Sequence, residues 1–211
     1  MKIEEIAIFV DGKSEKLSLE SHFKKYYGKS PKLVSGPGNG IKYSAELYAK
    51  RIAGDVVTVL NSSSHTVILV PDLEKREAKQ NINCSKFGEQ IKSAVIREII
   101  SIAKVQFKEE YLQEVIYVCP SDIMFENWIV CDIKGTEQSK LYNRTLAQSC
   151  FDGQNGANII GKLMHPNKYK KVVHAYMLFK NVDPNIGISN SPSFECFIST
   201  IRSLIEPQNS Q

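Results

Sequence analysis

The sequence IAIFVDG at residues 6–12 places five consecutive apolar residues before an acid and a glycine. An apolar run of this length, ended by turn residues, is typical of a strand buried on both faces of a parallel sheet. Residues 65–70 repeat the pattern and stop at Pro71-Asp72. Residues 31–34 and 115–119 are two further, shorter candidates. The sequence therefore predicts four strands.

Apolar residues at helical spacing lie between these strands. They predict one helix that ends at Gly28, a second that includes residues 43–52 and a third near residues 86–106. Alternating strands and helices indicate an α/β fold, with a Rossmann-like parallel sheet of about four strands and helices on both faces. A glycine-rich stretch from Ser35 to Gly40 is expected to be a loop, either a plain turn or a phosphate contact.

The C-terminal half is predicted to be helical. One helix is expected to open at Ser121 or Asp122, and the last is expected near residues 192–205, with Ser191 as its cap and Pro192 as its first residue. Between them, a helix is predicted that carries Tyr169, Val172, Tyr176 and Met177. We therefore expect an α/β core at residues 1–121 and a helical extension at residues 122–211 that packs on it as a single compact unit.

Composition narrows the functional class. The chain has 211 residues, of which 42% are hydrophobic and 24% are charged, as in globular proteins. It has no apolar run of roughly 20 residues, and its start is acidic where a signal peptide is basic, so we expect a cytoplasmic protein without a membrane partner. Five cysteines without a C-x-x-C pair favour reduced thiols over disulfides or a zinc site.

Several common catalytic motifs are absent. Gly12-Lys13-Ser14 follows a strand, but a phosphate-binding P-loop needs another glycine where Ala7 stands. Neither a G-x-S-x-G elbow nor an H-E-x-x-H pair occurs, which argues against the simplest serine hydrolase and zinc protease sites.

Acidic residues follow three of the predicted strands. They are Asp11 and Glu15 after the first strand, Asp72 and Glu74 after the third, and Asp122 and Glu126 after the fourth. Parallel strands bring their carboxyl ends to one edge, where ligands of open α/β sheets bind. Clustered carboxylates repel one another unless a cation neutralises them, and Mg²⁺ or Mn²⁺ suits oxygen ligands. Such a metal supports phosphodiester hydrolysis.

We assign metal binding to Asp11, Asp72 and Glu74, and catalytic roles to Asp11, Glu15 and Glu126. Each has a simpler alternative: the aspartates suit turns and caps, and Glu15 suits the first turn of a helix. Glu126 lies between aromatic residues, where a charge is costly unless it has a partner.

Residues 162–171 hold four lysines, one histidine and no acid. Within this patch, Lys168, Lys170 and Lys171 are the predicted contacts to a nucleic-acid backbone, DNA or RNA. The alternative is that the lysines form a solvated helix face.

Asp11-Gly12 and Asp72-Leu73-Glu74 resemble the acidic motifs of Toprim domains. The run from Ile8 to Lys16, together with residues 125–128 (FENW) and 191–197 (SPSFECF), is similar to the RloB-like, DUF-type bacterial relatives of Toprim nucleases. The resemblance implies a Toprim-like core with a helical extension and Mg²⁺-dependent cleavage of nucleic acid. Asp11 replaces the usual glutamate and Glu74 the second aspartate, so each ligand differs in length by one methylene.

The same resemblance implies a role in anti-phage defence with a partner ATPase, and it leaves a homo-oligomeric state open. The alternative within this context is a non-catalytic sensor or docking subunit. A third hypothesis, a small-molecule phosphatase or phosphotransfer enzyme, would use the acidic edge without the lysine patch.

Overall fold

The computed structural model describes residues 1–36, 44–62, 66–74, 82–103 and 106–205. The four strands are β1 (Ile6–Val10), β2 (Lys32–Ser35), β3 (Thr66–Val70) and β4 (Ile116–Val118). All neighbouring strands are parallel, and their order across the sheet is β2-β1-β3-β4. The predicted α/β fold with a parallel sheet of four strands is confirmed. His65, Tyr43 and most of the loop predicted from Ser35 to Gly40 lie outside the described residues.

Helices flank this sheet on both faces. The helices that connect the strands are α1 (Lys13–Tyr27), α2 (Ala45–Leu60), α3 (Cys84–Ala103) and α4 (Glu109–Val115). The C-terminal half contains α5 (Glu126–Val130), α6 (Ile133–Glu137), α7 (Gly156–Met164), α8 (Lys171–Phe179), α9 (Pro184–Asn190) and α10 (Pro192–Ile205). Over the described ranges, none of the helices combines the length and the apolar character needed to cross a membrane.

Strand β1 is fully buried and contributes side chains to two hydrophobic cores, one on each face of the sheet. Ile6 and Ile8 belong to the core that contains α1 and the C-terminal helices. Ala7 and Phe9 face the opposite core, which contains α2 and α3. Successive side chains of a strand point to opposite faces, so an uninterrupted apolar run is what a strand covered on both sides requires.

The C-terminal helices complete the first of these cores. Trp128 is fully buried against Phe194 and Phe197, and its Nε1 donates a hydrogen bond of 2.9 Å to the Oγ of Ser193. The Oγ of Ser191 accepts a 3.2 Å hydrogen bond from the N–H of Phe194. The predicted start of the last helix is confirmed. Residues from 122 onward therefore share one core with β1 and α1.

Two predictions for the C-terminal half are wrong. The first helix begins at Glu126 rather than at Ser121 or Asp122, because Ser121 forms a parallel bridge with Asp72 that prolongs the pairing of β3 and β4.

The second wrong prediction concerns the start of the middle helix, which was expected to include Tyr169. Tyr169 precedes α8, and Val172 and Tyr176 are exposed. Helix α8 packs on α1 and instead buries Ala175, Leu178 and Phe179, which lie on its other side.

The strand order creates a crevice between β1 and β3. The chain runs from β1 to β2 on one side and returns to β3 on the other side of β1. Ligands of open α/β sheets bind at such a reversal, at the carboxyl ends of the strands. Gly36, directly after β2, donates its N–H to the carbonyl of Val10, and a Cβ on Gly36 would lie 2.9 Å from that oxygen. The close approach beside the end of β1 therefore requires glycine.

His22 is a titratable group buried in the first core. Its ring packs against Tyr26 and Phe179, and its Nδ1 lies 3.3 Å from the carbonyl oxygen of Phe179. The Nε2 atom is buried without a hydrogen-bond partner among the described residues. Burial lowers the pKa of His22 to about 4, although the contact with Phe179 opposes this shift.

We expect this histidine to destabilise the protein in mild acid. The unfolded chain takes up the proton near pH 6.5 and the folded chain only near pH 4, so the folded state loses stability as pH falls between these values. The shift corresponds to about 3 kcal/mol in the free energy of unfolding. Urea unfolding from pH 7 to pH 4.5 should show a smaller loss in His22→Phe. Tyr26→Phe keeps the neighbouring ring and removes only its hydroxyl, so it should retain the wild-type pH dependence. An equal loss of stability with falling pH in all three proteins would contradict the role given to His22.

Candidate functional site

Two aspartates meet in the crevice between β1 and β3. Asp11 follows the last residue of β1 and is 9% exposed. Asp72 lies two residues after the end of β3, and its N–H donates a 3.3 Å hydrogen bond to the Oδ2 of Asp11. The structure thus brings together the first two predicted metal ligands, at the edge of the sheet where strand order predicts a site.

Asp72 is held by the segment that follows β4. The Oγ of Ser121 donates to its Oδ1, and the N–H of Leu73 lies 3.1 Å from the carbonyl of Ser121. Burial raises the pKa of Asp72 well above its ordinary value, and the negative charge of Asp11 raises it further. Lys171 and the hydrogen bond from Ser121 act in the opposite direction. Positive charge near this carboxyl therefore favours its ionised form.

Glu15 reaches the same region from the first turn of α1. Its side chain is 7% exposed, and its Oε1 lies 2.7 Å from the Nζ of Lys171. A Cβ on Gly12 would lie 2.8 Å from the Oε2 of Glu15. The glycine after Asp11 therefore leaves the space that the glutamate occupies.

Glu126 approaches from the N-terminus of α5. It is 2% exposed, its Oε1 accepts a 3.3 Å hydrogen bond from the hydroxyl of Tyr169, and its Oε2 lies 3.3 Å from the Nζ of Lys171. A Cβ on Gly156, the first residue of α7, would lie 2.6 Å from the carbonyl carbon of Glu126. Helix α7 therefore fixes the backbone of Glu126 by close packing.

Lys171 joins the two glutamates. We refer to Asp11, Glu15, Asp72 and Glu126, with Lys171 between them, as the carboxylate cluster. The carbonyl of Lys171 accepts a 3.2 Å hydrogen bond from the Oγ of Ser14, which fixes the lysine at the start of α1. Burial alone lowers the pKa of Lys171, but the surrounding carboxylates raise it more, and the net pKa lies above the ordinary value. The lysine is therefore fully charged at neutral pH.

The other two predicted acids lie differently. Glu74 has a φ angle of 57°, in the left-handed region that is costly for residues other than glycine, and its N–H donates a 2.8 Å hydrogen bond to the carbonyl of Ile123. Asp122 accepts hydrogen bonds from the N–H of Gly153 and from the Nδ2 of Asn127. Asp122 therefore anchors a loop, and the role of Glu74 as a metal ligand stays a prediction.

The aspartate pair suits Mg²⁺ better than a metal whose ligands must all come from protein side chains. Over the described ranges, no three His, Cys, Asp or Glu side chains converge in a metal-binding arrangement. Mg²⁺ binds one or two carboxylates and keeps its remaining ligands as water or substrate phosphate. Burial raises the pKa of Tyr48 well above its ordinary value, and the negative charges of the nearby Asp11 and Asp72 raise it further. Its hydroxyl is buried without a hydrogen-bond partner among the described residues. A water molecule in the shell of a bound cation would give this hydroxyl a hydrogen-bond partner.

A groove that we call the basic groove is lined in part by residues that come directly before Lys171 in sequence. Lys140, Lys168, Lys170 and His174 line a depression of about 400 Å³. The N–H of Lys170 donates a 2.9 Å hydrogen bond to the Nδ1 of His174, which orients the imidazole. Lys168 and Lys170 are thus brought together as predicted, whereas Lys171 reaches the carboxylate cluster instead. That any of the three contacts nucleic acid stays a prediction.

Sequence reasoning missed three residues of this region. Tyr169 was assigned to a helix and Ser121 to a helix cap, yet both donate hydrogen bonds to the carboxylates. Lys140 lies outside the lysine patch and has a φ angle of 58°. The one available signal was the location of Ser121 directly after β4, at the same edge of the sheet as Asp72.

The chain matches no family model, no curated protein and no solved structure.

The ion pairs of Lys171 give a stability prediction. Lys171→Met removes the cation between two buried glutamates, and a carboxylate left buried without its partner is costly. Because the lysine side chain is 39% exposed, we expect a loss of only about 2 kcal/mol in the free energy of unfolding. Lys170→Met, next in sequence but in the basic groove, should change stability by less than about 0.5 kcal/mol.

Adding Glu126→Gln to Lys171→Met should restore part of the lost stability, because it removes one of the two unpaired charges. Equal losses for Lys170→Met and Lys171→Met in chemical denaturation would show that the buried ion pairs contribute nothing specific.

Proposed function

We propose that this protein is a Mg²⁺- or Mn²⁺-dependent phosphodiesterase that hydrolyses nucleic acid at the carboxyl ends of β1 and β3. The observation that carries the proposal is the contact between Asp11 and Asp72, at the reversal of strand order, where burial and mutual repulsion raise the pKa of Asp72. Two neighbouring carboxylates that repel each other cost stability, and a bound cation offsets that cost.

In this proposal Asp11 and Asp72 hold the metal. When bound, Mg²⁺ polarises a phosphoryl oxygen and lowers the pKa of an attacking water. Glu15 and Glu126 orient Lys171, whose side chain is 39% exposed and whose Nζ donates to a phosphate oxygen of the substrate. The Oε2 of Glu15, which does not bind the lysine, is the acceptor for the proton of the water.

The basic groove supports a polyanionic substrate. Residues 168–170 precede α8 without regular secondary structure, and they connect the groove directly to Lys171 in the carboxylate cluster. We expect a phosphate chain bound by Lys168 and Lys170 to continue towards Lys171, the next residue in sequence. This arrangement favours nucleic acid over a small phosphomonoester, which would need no extended basic surface.

A second candidate function is a non-catalytic sensor or docking subunit. Lys171 already neutralises part of the charge of Glu15 and Glu126 within the chain itself. Carboxylates that are neutralised by a lysine of the same chain can stabilise the fold without catalysing a reaction. In this version the resemblance to defence-associated proteins suggests a partner ATPase that binds the same surface, within an anti-phage system.

Cleavage assays separate the two functions. Plasmid DNA and a tRNA pool are incubated with the protein and Mg²⁺, Mn²⁺ or EDTA. We expect metal-dependent cutting that falls on the order of 100-fold in Asp72→Asn and Asp11→Asn, since each loses a metal ligand and several kcal/mol of transition-state stabilisation. Asp55→Asn, which changes an exposed acid of α2, should cut at the wild-type rate.

Thermal unfolding gives an independent measurement, because a metal that binds only the folded state raises the melting temperature. Mn²⁺ should stabilise the wild type but not Asp72→Asn. A wild type that cuts neither substrate and gains no stability from either metal would favour the docking subunit.

The salt dependence of binding tests the substrate class. For catalytically silenced Asp72→Asn protein, the logarithm of the association constant for a fluorescent oligonucleotide should fall linearly with the logarithm of salt concentration. Replacing Lys168 and Lys170 by alanine should reduce that slope by about 2, one for each lost phosphate contact. Lys180→Ala, at the far end of α8, should leave it unchanged; identical slopes in all variants would remove the basic groove from the substrate path.

A further inference from the structure

Two cysteines that are 77 positions apart in sequence meet between β4 and α10. Cys119, the first residue after β4, is 1% exposed, whereas Cys196 on α10 is exposed. The sulfur of Cys119 lies 3.9 Å from the carbonyl oxygen of Cys196 and 3.5 Å from the Oγ1 of Thr200, one turn further along the helix. These two contacts direct the Cys119 side chain onto the part of α10 that carries Cys196.

The two thiols differ in reactivity. The neighbouring Cys119 side chain lowers the pKa of Cys196 to about 7 despite partial burial. The same contact, together with burial, raises the pKa of Cys119 well above its ordinary value. The thiolate is the nucleophile in disulfide exchange. Near neutral pH, Cys196 is therefore the attacking thiolate, and Cys119 is the resolving cysteine, which stays protonated.

A cavity gives small molecules access to Cys196. It has a volume of about 640 Å³ and lies between the N-terminal half of α3, the end of β4 and the first turns of α10. Leu73, Pro120 and Pro192 give it an apolar lining, and Cys196 forms part of its wall. This volume is in the range of small-molecule sites, so a reagent of that size reaches the thiol without displacing the chain.

We propose that Cys196 and Cys119 form a thiol–disulfide exchange site that is oxidised by low-molecular-weight disulfides. The Cys196 thiolate attacks one sulfur of the reagent, whose S–S bond breaks and whose other sulfur leaves as a thiolate. That thiolate takes the proton of Cys119. The Cys119 thiolate then attacks the Cys196 sulfur of the mixed disulfide, forms the intramolecular disulfide and releases the second reagent sulfur as a thiolate, which takes from the solvent the proton that Cys196 lost when it ionised. Two protein thiols lose two electrons, and the reagent gains them as two thiols.

The disulfide would tie the end of β4 to α10 close to the carboxylate cluster. Cys119 is two residues before Ser121, which donates its hydrogen bond to Asp72. The exchange itself uses none of the carboxylates and no metal. Its outcome is therefore independent of the proposed nuclease function, and either can fail without the other.

The test uses the reduced full-length protein and oxidised glutathione. We expect two of the five cysteine thiols to be lost, the intact mass to fall by two hydrogens, and peptide mapping to join Cys119 to Cys196. In Cys119→Ser the reaction should stop at a mixed disulfide that carries one glutathione on Cys196. Cys150→Ser, which removes an exposed thiol elsewhere on the chain, should form the internal disulfide like the wild type.

Alkylation supplies a second measurement that needs no variant. Under limiting iodoacetamide at pH 7, Cys196 should be modified roughly tenfold faster than Cys119, because Cys119 is buried with a raised pKa whereas the pKa of Cys196 is lowered to about 7. Retention of all five thiols after oxidation, a disulfide that involves Cys84 or Cys150 instead, or equal alkylation of Cys119 and Cys196 would each overturn the proposal.

Discussion

The burial of β1 on both faces of the sheet determines where this chain can place charge. Every side chain of the strand is enclosed, one set by α1 and the C-terminal helices and the other by α2 and α3. Polar groups are therefore excluded from the strand itself and collect at its carboxyl end, where the reversal of strand order leaves a crevice. Asp11 occupies that end and accepts a hydrogen bond from the N–H of Asp72, while Lys171 joins Glu15 to Glu126.

The carboxylate cluster also connects the two halves of the chain. Glu15 belongs to α1, Glu126 to α5 and Lys171 to α8, so the two ion pairs of the lysine join the α/β core to the helical extension. Buried ion pairs add little net stability, but they discriminate strongly against arrangements that leave one charge unpaired. The lysine thus helps to specify how the extension docks on the sheet. The geometry of the cluster and the docking of the extension depend on the same contacts.

Local signals in the sequence predicted the fold and the aspartate pair. Apolar runs gave the strands, and the rule that parallel strand ends meet placed Asp11 beside Asp72. The direction of Lys171 could not be obtained in this way, because in the irregular segment before α8 no periodicity tells which lysine turns inward. Tyr169 and Lys140 depend on the same long-range packing. The contact between Cys119 and Cys196 joins residues from the two halves of the chain, and spacing in the sequence carries no information about it.

During synthesis on the ribosome, the two faces of the sheet become covered at different times. The face covered by α2 and α3 has all its parts once β4 has been synthesised. The opposite face presents Leu19 and Phe23 early, but their cover includes Phe197 and Ile201 from the last helix of the described chain. A nascent chain consequently carries a half-covered sheet throughout the synthesis of the C-terminal half, and exposed apolar surface of this kind is what chaperones bind. Truncation before α10 would make that transient state permanent.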